Sequence, residues 1–426
     1  MFISFSICRV ALVALMLPMV SWAADSLTLA EAQRIAVDRS QQLVAQDALG
    51  AAVREQAFAA GQLPDPVLKA GIDNLPASGP DRFSVARDFM TMRRIGIAQE
   101  LPRAAKRQLR SERLERDAQR VLAQRQLTQA NVERDTALAW LDRYYTQAMR
   151  ALVQQQFLET KLQAQAADNG FRTGRGSQAE VFAARSAVIQ VEDRLSQIDR
   201  QARNAGLMLV RWVGAPVANR PPSGAPPWQS TPIQDGDFSE HLKLHPDLLV
   251  LAAEIDTAQT EVKLAEANQQ SDWSVEASYA QRGPAYSNML SIGVSVPLQW
   301  DQKNRQNREL SAKLAMVNEV KARYEDMLRN HEAEVRSWVN DWQTGKERVA
   351  RYRDEMIPTA RQRSEAALTA YRTSKGDLAS TLAARRDEIE VRIQALTLEL
   401  ETARSWAQLN FLTPSSVSMN HSKEQP

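Results

Sequence analysis

The stretch FRTGRGSQAEVFAARS, residues 171–186, returns two hundred residues later as YRTSKGDLASTLAARR, residues 371–386. Arg, Thr, Gly and the Ala-Ala-Arg triplet stand at the same offsets in both. A period of that length is too large for a solenoid unit, which runs to roughly 20–50 residues. It predicts two copies of a whole half-molecule, each in the same order: a helix, two short strands, a very long helix, a glycine-bearing turn and a second long helix. In the first half the helices are read over 29–60, about 103–169 and 178–212, with strands at 67–72 and 92–100. In the second they are read over 241–269, about 304–370 and 378–411, with strands at 273–280 and 289–298. The chain then divides into a first repeat at 24–212, a Pro-, Gly- and Ser-rich linker at 213–238, a second repeat at 239–412, and a tail at 413–426 expected to be disordered.

The long helices carry seams that repeat at alternating steps of three and four, the spacing that keeps one apolar stripe facing a neighbouring helix. After the first turn the seam is Val181, Ala184, Val188, Val191, Leu195, Ile198, Ala202, Ala205, Leu209 and Trp212. After the second it is Ile389, Ile393, Leu396, Leu400, Ala403 and Ala407, and Leu138, Leu141, Tyr145, Ala148 and Leu152 mark the helix before the first turn. Helices this long reach roughly 100 Å at about 1.5 Å per residue. Pro358 falls inside the second very long helix and predicts a break or kink there, whereas the equivalent position of the first half is Leu158.

The N-terminus reads as a secretory signal peptide over residues 1–23: Arg9, then the apolar run Val10–Val20, then small residues at Ser21 and Ala23. The run is shorter than the ~20 residues a spanning helix needs. Cys8, the only cysteine, lies inside it, so an exported mature chain has no disulfide, thiol nucleophile or cysteine metal ligand. Lys plus Arg number 53 against 51 Asp plus Glu, a balance that argues against nucleic acid as a partner.

The strand segments alternate. Trp273, Val275, Ala277 and Tyr279 share one face against Ser274, Glu276 and Ser278; Leu290, Ile292, Val294 and Val296 share one against Ser291, Gly293 and Ser295. Leu68, Ala70 and Ile72, then Ile95 and Ile97, repeat the pattern in the first half. Half-buried strands of a soluble sheet and lipid-facing barrel strands both look like this. Export, and long helices offering little globular core, favour the barrel, with Trp273, Tyr279 and Trp300 as interface aromatics. Four strands cannot close a barrel, and open edges are not viable in lipid, so several chains must contribute. Two would supply eight strands and three would supply twelve.

No residues form a convincing catalytic or cofactor-binding constellation. His241 and His245, four apart in HLKLH, lack the Glu of a zinc-hydrolase motif and sit at a helix start before Pro246, so they are not assigned a metal. Met90 and Met92 are soft donors but read as strand or loop residues. The basic run from Arg103 to Arg116 contains Glu112 and Glu115 and reads as a solvated, ion-paired helix.

The element order and the turns resemble the TolC-like outer membrane efflux protein family over essentially the whole mature chain. The carrying residues are Phe171, Gly174, Ser177 and Glu180 at steps of three. The second copy departs: Tyr371 is followed by Ser374, Asp377 and Ser380, leaving Gly376 to supply the flexible backbone. The stretch LPDPVLKAGIDNLP…RDFMTMRRIGIAQELPRAAKRQLR further resembles the heavy-metal subgroup, the CzcC- and CusC-like outer members of cation efflux pumps.

The resemblance implies a mainly α fold with a small β part: a homotrimer whose twelve-stranded transmembrane β-barrel lies in outer-membrane lipid and is continued by a long periplasmic α-helical barrel. It implies a passive exit duct, not an enzyme, for heavy-metal cations. An inner-membrane efflux pump of the RND type and a periplasmic adaptor (membrane fusion) protein would be its partners. The turn residues Phe171, Gly174, Gly176, Ser177, Tyr371, Ser374 and Gly376 would then form the periplasmic tip where the adaptor docks. Glu180, Asp377, Arg175, Lys375 and Arg372 would be candidate gate charges, since in a trimer each forms a ring that focuses the field in a narrow pore. A duct for multidrug or protein export fits nearly all of these features, and a soluble periplasmic coiled-coil adaptor fits the helices alone.

Overall fold

A computed structural model describes residues 26–231, 242 and 244–413. The expected signal peptide, His241, His421 and the tail beyond 413 lie outside the described residues. The first helical segment is two helices, α1 (Leu29–Arg39) and α2 (Gln41–Ala60), not one. Ser40 separates them because its Oγ accepts from the Leu43 amide and caps α2, a role that requires a non-helical backbone at Ser40 itself. Strands β1 (Val67–Asp73) and β2 (Met92–Leu101) follow, then α3 (Ala104–Arg172), α4 (Gln178–Val213) and the single turn α5 (Ala215–Ala218). The second half runs α6 (Pro246–Ala267), β3 (Trp273–Gln281), β4 (Met289–Ser295), α7 (Gln306–Arg351), a π-helical turn (Tyr352–Met356), α8 (Ile357–Arg372) and α9 (Leu378–Asn410).

The interruption expected at Pro358 is this π turn. Proline has no N–H for the carbonyl four residues back, and just upstream the ladder re-registers, with the Ile357 amide reaching the Tyr352 carbonyl. α3, with no proline, runs unbroken past Leu158 for 69 residues, about 100 Å.

The core lies where the helices are most crowded. α3 packs against α1, α2, α4, α6 and α9. Its middle is therefore buried on several sides, at Ala137, Ala139, Trp140 and Leu141, and not along one seam. Beyond that point the buried stripe is Leu141, Tyr145, Met149 and Val153, so Ala148 and Leu152 of the expected seam are only half-buried. The α4 seam is closer to expectation: Val181, Ala184, Val191, Ile198, Ala205 and Leu209 are buried.

Three tryptophans tie extended segments to the long helices, Trp406 through a 2.8 Å bond to the Ser230 carbonyl. Trp140 Nε1 donates to the Leu27 carbonyl at 3.0 Å, and Trp342 Nε1 donates to the Trp228 carbonyl at 2.7 Å. Leu27 also bridges to Pro222, and Arg220 grips Glu31 with two hydrogen bonds of 2.9 and 3.0 Å. The described part of the segment between the repeats is therefore held against the core.

All four strands form one antiparallel sheet in the order β1-β2-β3-β4. Register aligns Leu68 with Ile97, Ile97 with Ala277 and Ala277 with Ile292. It likewise aligns Lys69 with Gly96 and Gly96 with Ser278. The apolar residues thus share one face, and they are exposed: Leu68, Ile95, Ile97, Leu290, Ile292 and Val294 are all more than half accessible. On the polar face Lys69 pairs with Glu276 at 2.6 Å, and Gly96 lies so close to Ser278 that an added Cβ would sit 2.6 Å from its side chain. β1 and β4 each leave one edge unpaired.

The sheet is rooted to the helices by the basic run at the start of α3. Buried Lys106 donates to the Gln270 carbonyl at 2.5 Å and to Asp272 at 3.0 Å, while the Arg103 amide binds the other oxygen of Asp272. Arg107 reaches the Gly61 carbonyl at 3.1 Å and Arg113 faces Glu261 at 3.7 Å. Most of the run is engaged by contacts within the chain.

Candidate functional site

The two bends between long helices come together at the end of the molecule farthest along α3 from the sheet. In the first, the Gly174 amide donates to the Phe171 carbonyl at 3.0 Å and the Arg175 amide to the Gly170 carbonyl at 2.8 Å. In the second, the Ser374 amide donates to Tyr371 at 3.0 Å and the Lys375 amide to Ala370 at 2.8 Å. Both are Schellman closures, which need a left-handed residue just past the helix. Gly174 supplies it at φ +72°, and Ser374 supplies it at φ +56°. The expectation that Gly376 would provide the backbone freedom is therefore corrected: its φ is not positive. Gly376 and Gly176 instead make room, since a Cβ there would meet Ala370 Cβ at 3.1 Å or Glu180 Oε2 at 3.1 Å.

Each bend hands over to the returning helix through a cap. Ser177 Oγ accepts from the Glu180 amide at 3.2 Å, and the Ser177 amide donates to Glu180 Oε2 at 2.8 Å, closing a capping box. Asp377 Oδ1 accepts from the Ser380 amide at 2.7 Å, and that hydrogen bond holds the Asp377 carboxyl below its usual range. Glu180 and Asp377, read from sequence as gate charges, thus both have helix-capping duties. Arg175, Lys375 and Arg372 are exposed and form no ion pair among the described residues.

The bends touch. Leu378 is buried with Ala167 and Ala184 of the first bend's helices, and Tyr371 and Leu382 pack on them. Phe171, the counterpart of Tyr371, stays exposed. Each bend is also laced by ion pairs: Asp168 holds Arg172 at 2.8 Å and Arg185 at 3.3 Å, and Arg363 faces Asp387 at 3.3 Å.

Sequence reasoning missed a charged network just inside the tip. Arg385 Nη2 binds Glu159 Oε2 at 2.6 Å, and Glu388, its side chain fully buried, pairs with Arg385 at 2.5 Å and Arg392 at 2.6 Å. The network joins α3 to α9. Its signal lay in the spacing: Thr381, Ala384 and Glu388 follow the buried stripe of α9, which puts a carboxylate where an apolar side chain belongs. Glu388 also recurs in neither bend's motif, so the repeat gave no hint of it.

No helix among the described residues is long and apolar enough to cross a membrane. Residues 238–414 match the family model described as outer membrane efflux protein. No curated protein matches the sequence. Among solved structures, the chain is similar to a membrane protein from Pseudomonas aeruginosa, at TM-score 0.78 and 17% identity over 90% of each chain. It is similar to CusC, described in the context of transmembrane channel formation, at TM-score 0.77 and 14% identity over 91% of this chain and 92% of that one. It is similar to the Campylobacter jejuni CmeC outer membrane channel at TM-score 0.74 and 12% identity, over 93% of this chain and 89% of that one. The second half of the chain is therefore similar to outer membrane efflux proteins over residues 238–414, and the described chain as a whole has the fold of solved outer-membrane channels.

Proposed function

We propose that the protein is the outer-membrane exit duct of a tripartite efflux system. The observation that carries this reading is the sheet: one face apolar along its middle and exposed, the other lined with Gly, Ser and a Lys–Glu pair, and both edges open. An exposed apolar face with two free edges is unstable in water and unstable in lipid unless closed. Three copies joining β4 of one chain to β1 of the next make a twelve-stranded barrel with the apolar face towards lipid. β2 and β3, at 10 and 9 residues, have the length of tilted barrel strands. The helices then continue as a periplasmic tunnel, and an inner-membrane pump of the RND type supplies the energy.

At the tip, three chains bring six bends to one rim. Phe171, exposed where Tyr371 is packed, is an apolar contact for the adaptor or the neighbouring chain. Gly174, Gly176, Ser177, Ser374 and Gly376 shape the bends that the adaptor grips. Glu180, Asp377, Arg175, Lys375 and Arg372 form rings of charge around the entrance. The cargo we assign is heavy-metal cations, on the resemblance of residues 63–110 to the heavy-metal subgroup.

The duct is tested by charging one face at a time. Ile292→Arg places a cation on the lipid face, at a cost of about 2–4 kcal/mol near mid-membrane, and should abolish the outer-membrane trimer. Ser291→Arg, one residue away on the polar face, should leave it intact. Equal behaviour of the two variants, or a wild-type protein extracted without detergent, overturns the reading. Deletion of the gene tests the cargo: sensitivity to metal ions but not to drugs or detergents supports cations, and the reverse pattern overturns them.

A further inference from the structure

Away from the sheet and the tip, two histidines and an aspartate from two helices of the second repeat meet in a largely buried cluster. His245 caps the start of α6, Asp247 lies in its first turn, and His331 projects from the middle of α7. Both histidines are 7% exposed, and their ring centroids are 4.2 Å apart. Asp247 Oδ2 lies between them, 3.6 Å from His245 Nδ1 and 3.3 Å from His331 Nε2. One donor atom from each residue falls within 4.8 Å of the other two.

The two distances from Asp247 are those between metal ligands. The edge of a tetrahedral site with metal–ligand distances of roughly 2.1 Å is about 3.4 Å. His331 is buried, and its nitrogens have only long contacts with carboxylate oxygens, Nε2 with Asp247 at 3.3 Å and Nδ1 with Glu334 at 3.4 Å. The second oxygen of Glu334 accepts from Asn330 at 3.0 Å. A carboxylate behind the imidazole is the usual outer partner of a metal-bound histidine, fixing which nitrogen carries the lone pair. The Asp247 amide leans on His245 Nδ1 at 3.3 Å, a long hydrogen bond that a cation would replace.

We infer that His245, Asp247 and His331 bind a divalent first-row transition cation of the zinc class, with Glu334 orienting His331. Two imidazoles and a carboxylate are borderline donors suited to zinc. Asp247, a third exposed, gives solvent access for loading and for a fourth ligand. The site is closed by helix packing and faces no chemistry, so it is a clamp: it pins the start of α6 to α7. Arg134, within electrostatic reach of the cluster, is paired with Asp135 at 2.9 Å. The inference does not rest on the duct reading.

The test uses the full mature chain, purified without a polyhistidine tag and stripped by chelator. Co2+ should bind one per chain with the intense visible absorption of tetrahedral cobalt, be displaced by Zn2+, and Zn2+ should raise the melting temperature. His331→Gln and Asp247→Asn should abolish the cobalt spectrum, and Glu334→Gln should weaken binding about tenfold or more. Should His331→Gln fail to fold, the isosteric Asp247→Asn and Glu334→Gln decide alone. No uptake at roughly millimolar Zn2+, or uptake unchanged in Asp247→Asn and Glu334→Gln, overturns the site.

Discussion

Ser374 occupies the place of Gly174 and adopts the same left-handed backbone, φ +56° against +72°, two hundred residues along the chain. The two bends keep one hydrogen-bond scheme while differing in the residue that bears its strain. A side chain in this region costs roughly 1–2 kcal/mol.

Ser374→Gly should therefore stabilise the second bend, by about 1 kcal/mol less the entropy that glycine returns to the unfolded chain. Gly174→Ala should destabilise the first by about 1 kcal/mol. Protease nicking at the tip, compared between the two variants at fixed temperature, reads the local effect directly: slower for Ser374→Gly, faster for Gly174→Ala. If both variants nick alike, the matched φ values have no energetic consequence.

Capping and gating can be separated at Asp377 and Glu180. Asparagine and glutamine keep an oxygen to accept from the Ser380 amide or the Ser177 amide, yet remove the charge. The Asp377→Asn, Glu180→Gln double variant should fold and insert normally but conduct cations severalfold less well in planar bilayers. Unaltered conductance and ion selectivity would leave the two carboxylates as helix caps alone.

The strands and long helices were legible because each follows one physical period. Trp273 to Tyr279 alternates at two, and Val181 to Leu209 recurs at three and four, so faces could be assigned before any contact was known. Pro358 was legible because a missing N–H cannot be compensated locally. What stayed hidden depends on contacts across the chain. Nothing near His245 points to His331, whose ring meets it only because α6 packs on α7. Leu378 reads as an ordinary helix-start residue until the first bend is laid beside it. Ser374 was misread because sequence favours the nearest glycine as the flexible point, whereas hydrogen bonding fixes which position must turn. Ser40 was passed over inside an apolar pattern that continues on both sides of it.

Gly345 and Thr402 set how closely α7 and α9 approach. A Cβ at Gly345 would stand 2.3 Å from Thr402 Oγ1, and Thr402 is 1% exposed with its hydroxyl bound to the Leu398 carbonyl. Gly345→Ala gains about 1 kcal/mol of helix propensity, but overpacking of about 1–3 kcal/mol outweighs it. Thermal unfolding should show the variant destabilised. In a Thr402→Ala background the hydroxyl is gone, and the same substitution should be neutral or stabilising. A double-mutant cycle with no coupling would rule out the contact as the cause.

Glu399, on α9, is half-buried within electrostatic reach of Tyr145, and burial raises its carboxyl above the usual range despite Arg353 nearby. An acid whose folded value is raised binds its proton more tightly when folded than when unfolded. Its ionisation therefore costs stability above the folded value, and the cost disappears below the unfolded value of about 4.3. Glu399→Gln removes that ionisation. The variant should melt higher than the wild type at neutral and alkaline pH, and the gap should close as pH falls towards about 4. A gap that widens with acid would mean that the carboxylate is held by a stabilising partner, such as Arg353, and that burial is not the dominant influence on it.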